Sequence, residues 1–360
     1  MPAQSDSNHW KFYIGTYSAA DQPGIHLASV DQGTGEMHIL SSTAGVENPS
    51  FLAVHPEGRN LYAVTETEEG EVVSYAIGED GKLTEQKRLP TGGEHPCHVA
   101  FAPDSYLVTV NYSGAQVSSY KLDETHSLEA LVSRVQHTGS GPNSERQEKA
   151  HTHSAIPDAQ GRFVYVSDLG QDKIVIYKLA EGRLEPHEEV KLAGGTGPRH
   201  FVIDREGKRA YGIDELSSTI TVYALEAEEG RLTPIQRIST LPEHVSAQDC
   251  TAADLHFSVC GSYLYGSNRG GSDSLVRFVV DRESGKLGSP AWFDCGGKTP
   301  RNFAVVNERL LLCANQDGGG ISSFFIDPAS GALTATGYTL KVGKPVCIAG
   351  WRQGSPEEKV

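Results

Sequence analysis

The chain has no Cys-x-x-Cys pair, no apolar run long enough to span a membrane, no Gly-x-Ser-x-Gly elbow and no stripe of clustered basic residues. Each absence removes a class of function. Six scattered cysteines (Cys97, Cys250, Cys260, Cys295, Cys313, Cys347) in 360 residues do not form a disulfide framework and are expected as buried thiols in a reducing cytoplasm. A membrane span needs about 18 consecutive apolar residues, and a secretory signal needs an apolar segment that the polar residues 1–10 lack. The chain therefore reads as cytoplasmic, with no membrane partner. Formal charge is −15, from 31 basic and 46 acidic residues, and the basic ones are dispersed. A polyanion is repelled over most of such a surface, which argues against nucleic acid. Without the elbow a serine nucleophile has no support. The glycine runs at 92–93, 194–195 and 318–320 have no helix after them, which excludes a phosphate-cradling loop or a dinucleotide fingerprint. No cofactor is expected.

What the chain does have is a phrase repeated seven times: an aromatic or aliphatic pair, small residues, then a polar side chain at a fixed place. Phe12 to Tyr17, Leu61 to Glu66, Leu107 to Tyr112, Val164 to Leu169, Ala210 to Glu215, Leu264 to Arg269 and Leu311 to Gln316 are the copies. Their last residues are 49, 46, 57, 46, 54 and 47 positions apart, the spacing of a repeat architecture. Residues 198–240 show one repeat most plainly. Arg199–Asp204, Arg209–Asp214, Thr219–Leu225 and Ile235–Thr240 read as four strands, with a glycine turn between the first two and another before the fourth. Four antiparallel strands per repeat predict an all-β, seven-bladed propeller occupying residues 10–351 as one domain. The phrase at Phe12 is a second strand with no first strand ahead of it. The missing strand is expected at Pro345–Ala349, closing the ring and removing its open edge, with 1–9 and 352–360 as mobile tails. Two long connections, 139–150 and 241–249, join a fourth strand to the next first strand, and loops of this length are usually functional or mobile.

In such a blade the start of the innermost strand lies beside the end of the second strand. Two columns then converge on one rim of the channel. One contains Tyr17, Glu66, Tyr112, Leu169, Glu215, Arg269 and Gln316; the other contains Ser50, Cys97, His153, Arg199, Ala253, Arg301 and Val346. Blade packing asks for none of the Arg, His and Glu, so His153, Arg199, Glu215 and Arg269 are candidate catalytic groups. His151, Arg301, Asn268, Gln316, Glu66 and His98 are candidate substrate contacts. The structural alternative is that Glu215 with Arg199 or Arg269 only bridges blades. His151-Thr152-His153 alternates like a metal pair but lacks a third convergent ligand, and no metal is expected. A cationic cluster on an acidic chain favours a small anionic ligand.

Gly195-Thr196-Gly197-Pro198-Arg199-His200, Asp214 to Thr219, Ser267-Asn268-Arg269-Gly270, Pro300-Arg301-Asn302-Phe303 and Ala314-Asn315-Gln316-Asp317, taken in order, resemble the seven-bladed propeller lactonases. That family groups propeller-type 6-phosphogluconolactonase with the fungal carboxy-cis,cis-muconate cyclases. The resemblance spans roughly residues 10 to 350. It implies a metal-independent lactonase acting on a sugar-acid lactone, most simply 6-phosphogluconolactone, or a muconate cyclase. A histidine from His151-Thr152-His153, Arg199, Glu215 and Arg269 are the implied catalytic groups. The motif leaves His151 and His153 open; the column favours His153. The third blade departs from the family with Phe101-Ala102-Pro103-Asp104-Ser105-Tyr106 in place of the usual turn. A monomer or weak homodimer is expected. A non-catalytic propeller binding a protein is the rival from another class, and it calls for an aromatic or apolar rim.

Overall fold

The computed structural model describes residues 8–352, in which twenty-eight strands, numbered β1–β28 along the chain, form seven four-stranded antiparallel sheets. The innermost strands are β4 (Leu52–Val54), β8 (Pro96–Ala102), β12 (Thr152–Pro157), β16 (Pro198–Ile203), β20 (Cys250–Phe257), β24 (Lys298–Asn307) and β28 (Pro345–Trp351). Each packs on the next, and β28 lies between β24 and β4, so the ring is closed. The closing strand is the expected one: β28 pairs antiparallel with β1 (His9–Thr16), with Tyr13 opposite Ala349. The expected mobile tails lie largely outside the described residues. Where they overlap, His9 opens β1, and Asn8 Nδ2 donates to Asp31 Oδ2 at 2.7 Å.

The phrase and the second glycine turn are one device. Tyr13 in blade 1 donates its hydroxyl to Gly81 O in blade 2 at 2.7 Å. Tyr211 reaches Gly285 O at 2.7 Å and Tyr265 reaches Gly331 O at 2.9 Å in the same way. The tyrosine ring fills the space between blades, and its hydroxyl satisfies a carbonyl of the neighbouring turn. Gly81, Gly285 and Gly331 all have φ near +70 to +80°, and an added Cβ at each would lie within 2.7 Å of a side chain from the preceding blade.

Strand boundaries shift slightly from expectation. In the fifth blade β19 spans Arg231–Ser239 and begins four residues earlier than predicted, because the turn before it is tight and Glu226 already pairs with Arg231. Its exposed residues hid the start. The irregular turn of the third blade is made by Asp104 and Ser105, both left-handed at φ 62° and 66°. One thiol also departs from expectation: five cysteines are buried, but Cys260 sits exposed in a surface turn.

Candidate active site

At the mouth of the channel a cavity of about 370 Å³ is lined by Tyr17, Glu66, Cys97, Tyr112, Arg146, His153, Glu215, Thr251, Arg269 and Arg301. Eight of these ten come from the two columns. The antiparallel pairing of first and second strands brings them together, so the repeat itself builds the site.

Glu215 is its electrostatic centre. Arg269 Nη2 lies 3.0 Å from Glu215 Oε2, Arg199 Nε lies 3.0 Å from the same oxygen, and Arg146 Nη2 bonds Oε1. Burial alone would raise the Glu215 carboxyl, but Arg269, Arg199 and Arg146 outweigh it and hold the group well below the usual carboxylate range. A carboxylate so committed is a poor proton acceptor. Arg199 is only 2% exposed and is fixed behind Glu215, donating Nη1 to Ala253 O and to His200 Nε2. Its pKa is lowered to about 9 by burial and by Arg269 and Arg301, so it is still a cation at neutral pH. Behind it Asp254 accepts from His200 Nδ1 (2.7 Å), His256 Nε2 (2.9 Å) and Asn302 Nδ2 (2.6 Å). Asn302 Oδ1 accepts from Ile348 N on β28 at 2.7 Å, which ties ring closure to the floor of the site.

Arg301 is different. Its guanidinium lies over the Tyr17 ring at 5.4 Å and has no hydrogen-bond or ion-pair partner among the described residues. Burial would lower its pKa, but Tyr17, Glu66 and Glu215 more than offset that, so it is firmly charged. Glu66 accepts the Tyr17 hydroxyl at 3.0 and 3.1 Å. His153 Nδ1 is 3.9 Å from Cys97 Sγ. Burial, then Arg199, His200 and Arg301, push His153 well below its ordinary value, so it is neutral at pH 7. Burial pushes the Cys97 thiol up, which disqualifies it as a thiolate nucleophile.

The cavity wall therefore includes Glu66, His153, Glu215, Arg269 and Arg301 from the sequence candidates. Arg199 is in contact with the wall but behind it. His151, expected on the same side as His153, packs instead on Tyr112 at 4.4 Å, with Nδ1 3.0 Å from Tyr112 O. The register shift between Thr152 and Ser154 breaks the alternation that would have kept the two histidines on one face. His98 packs tilted on Phe51 at 4.3 Å and meets His200 edge-on at 5.9 Å, and it does not line the cavity. Asn268 donates Nδ2 to Thr240 O at 2.9 Å. Asn111 and Asn315, at the same place in the phrase, make matching bonds to Gly93 O and Cys295 O, so asparagine at this position staples these three blades to the segments leading into them. Gln316 bonds Asp317 at 3.2 Å and does not line the cavity. The sequence columns did not include Arg146 and Thr251; the length of the 139–150 connection was the signal for the first.

The exposed large apolar residues, Ile39, Leu40, Leu131, Val259, Val279 and Tyr338, do not line this cavity. A three-residue group on the opposite face, His55, Glu57 and His126, brings donor atoms within 4.8 Å of one another. It is poorly arranged for a metal. The two imidazoles are stacked 3.9 Å apart at 22°, and His55 Nδ1 accepts the Glu57 N–H at 3.2 Å, so the lone pairs do not converge.

The family model described as lactonase, 7-bladed beta-propeller, matches residues 11–350. The chain belongs to the seven-bladed β-propeller lactonases. Among relatives of this propeller lactonase, the 6-phosphogluconolactonase of Bacillus subtilis is 32% identical over 340 residues, 93% of this chain and 97% of that protein. The 6-phosphogluconolactonase of Formosa agariphila is 32% identical over 323 residues, 86% of this chain and 90% of that protein. The solved periplasmic gluconolactonase of Pseudomonas aeruginosa superposes with a TM-score of 0.87 at 29% identity, over 96% of this chain and 99% of that one. Membership makes the propeller lactonase described here a hydrolase acting on a lactone ester. No helix among its described residues is long and apolar enough to cross a membrane.

Proposed function

We propose that the chain hydrolyses a sugar-acid lactone bearing an anionic group, with 6-phosphogluconolactone as the best-fitting substrate, in the channel-mouth cavity. The observation that supports this most is Arg301, a half-buried cation with no committed partner among the described residues, lining with a neutral histidine a cavity of about 370 Å³. That volume lies within the range of small-molecule sites. His153 accepts a proton from water as the water oxygen bonds to the lactone carbonyl carbon. The carbonyl electron pair moves onto oxygen, where Arg301 stabilises it. Collapse of this adduct breaks the bond to the ring oxygen. That oxygen takes the proton back from His153 and leaves as a hydroxyl, and the product is the open-chain acid. Glu215 holds Arg269, Arg199 and Arg146 in place, while Tyr17 and Glu66 line the wall beside Arg301.

Arg199 thus acts through Glu215, because it lies behind the cavity wall, ion-paired to Glu215 and donating Nη1 to Ala253 O and His200 Nε2. The six unpaired cysteines suit the expected reducing cytoplasm. A panel of 6-phosphogluconolactone, gluconolactone and carboxymuconate, assayed with and without chelator, tests the reading. Chelator-insensitive turnover of the phosphorylated lactone is expected. Turnover of carboxymuconate alone would move the assignment to a cyclase, and no turnover of any would remove the enzymatic reading.

A further inference from the structure

The connection between β11 (Leu128–Gln136) and β12 is longer than the repeat requires, and it delivers one arginine to the cavity. We infer that Arg146 is the specificity residue of the site, the group that binds the substrate's anionic substituent where it projects from the cavity. This rests on the lactonase reading above and names which residue makes that enzyme prefer a phosphorylated substrate.

The backbone that presents Arg146 is fixed at both ends by one buried carboxylate. Asp168 Oδ2 accepts from His137 Nδ1 at 2.7 Å where the connection leaves β11, and Asp168 Oδ1 accepts from His151 N at 3.0 Å where it enters β12. His137 Nε2 lies 2.7 Å from the Tyr177 hydroxyl. In the middle, Gln147 donates Nε2 to Leu169 O at 2.8 Å, and Asn143 Oδ1 accepts from Arg146 N at 3.1 Å. A buried aspartate bonded to both roots, with a glutamine pinned between, is a preorganised mount.

The side chain it presents is of another character. Arg146 is 40% exposed, against 11% for Arg269 and 2% for Arg199, so it is the arginine of this cluster that reaches solvent. It rests on Glu215 Oε1 and on the Tyr112 hydroxyl, the latter at 3.3 Å. When Arg146 turns away Glu215 keeps Arg199 and Arg269 on Oε2, and the Oε1 that Arg146 leaves stands at the cavity, so the carboxylate stays compensated by two guanidinium groups. The bonds Arg146 makes there are both on Nη2, which belongs to each bidentate edge of the guanidinium, so turning off Glu215 and Tyr112 is what frees the fork for bidentate contact with a phosphate. The lactone ring must sit deep, beside His153 and Arg301, so a phosphate at the far end of the substrate falls at the mouth, where Arg146 stands.

The test compares kcat/KM for 6-phosphogluconolactone and for unphosphorylated gluconolactone in wild type, Arg146→Ala and Arg146→Lys. The expected result is a rise in KM for the phosphorylated lactone in Arg146→Ala, with the ratio of the two kcat/KM values falling about 10–100-fold, and partial recovery in Arg146→Lys, which keeps charge but not the fork. A ratio unchanged in Arg146→Ala would overturn the inference while leaving the lactonase reading intact. Wild type inactive on both lactones would instead remove the reading itself.

Discussion

His153→Gln is expected to lower kcat on the lactone substrate by about 10²–10⁴-fold, with the folded structure retained by circular dichroism and melting. Glutamine preserves the bulk beside Cys97 but cannot take a proton from water. The pH dependence carries the sign. A general base must be neutral to act, and a histidine at its ordinary value loses activity as pH falls through about 6.5. Burial and the cations Arg199 and Arg301 push His153 well below that value, so the acid limb of kcat/KM is expected below the ordinary histidine range, with a flat profile across neutrality. Because a carboxylate base would also place the acid limb below the histidine range, a pair of variants discriminates Glu66 as the base. If His153→Gln keeps wild-type kcat and Glu66→Gln does not, the proton acceptor is the carboxylate.

The second large effect is on stability. Glu215→Ala leaves Arg199 and Arg269 buried in a low-dielectric wall with their shared counter-ion gone, and removing one partner of a buried ion pair typically costs about 3–5 kcal/mol. Urea unfolding of the variant against wild type measures it, and a loss under about 1 kcal/mol contradicts the role of Glu215 as an electrostatic anchor. The linked pH effect follows from the direction of the shift. The folded carboxyl lies below its unfolded value of 4.5, so its stabilisation is complete above that pH and is lost as pH falls through the lower, folded value. Glu215→Gln keeps the shape and loses the charge, so between pH 6 and pH 3 its stability is expected to fall less than that of wild type by the Glu215 share, the shared fall from Asp254 and Asp168 remaining.

The fold was legible because the repeat repeats its constraints. Tyr13, Tyr211 and Tyr265 recur with the glycines of the next blade's turn, and the strand missing before Phe12 could only be supplied from the other end of the chain. The site was legible where it is made by the same geometry: Glu66, His153, Glu215, Arg269 and Arg301 face one cavity because first and second strands run antiparallel. It was illegible where strand alternation fails and where a connection outgrows the repeat. A shift of register, found at the same place in β8, β12, β16 and β24, takes His151 off the cavity wall, and Arg146 comes from the long 139–150 connection. Asn268 carried a signal that was open to view. Asparagine stands at the same place in the phrase at 111, 268 and 315, and a residue shared among copies serves the blade; the site is made by residues that the copies do not share.

Binding of the product is the most direct measurement of where the reaction occurs. A crystal structure with 6-phosphogluconate is expected to show the acid in the channel-mouth cavity, its carboxylate within hydrogen-bond distance of Arg301 and beside His153. Product seated elsewhere on the ring, with Arg301 untouched in a crystal whose cavity is open to solvent, would contradict the account.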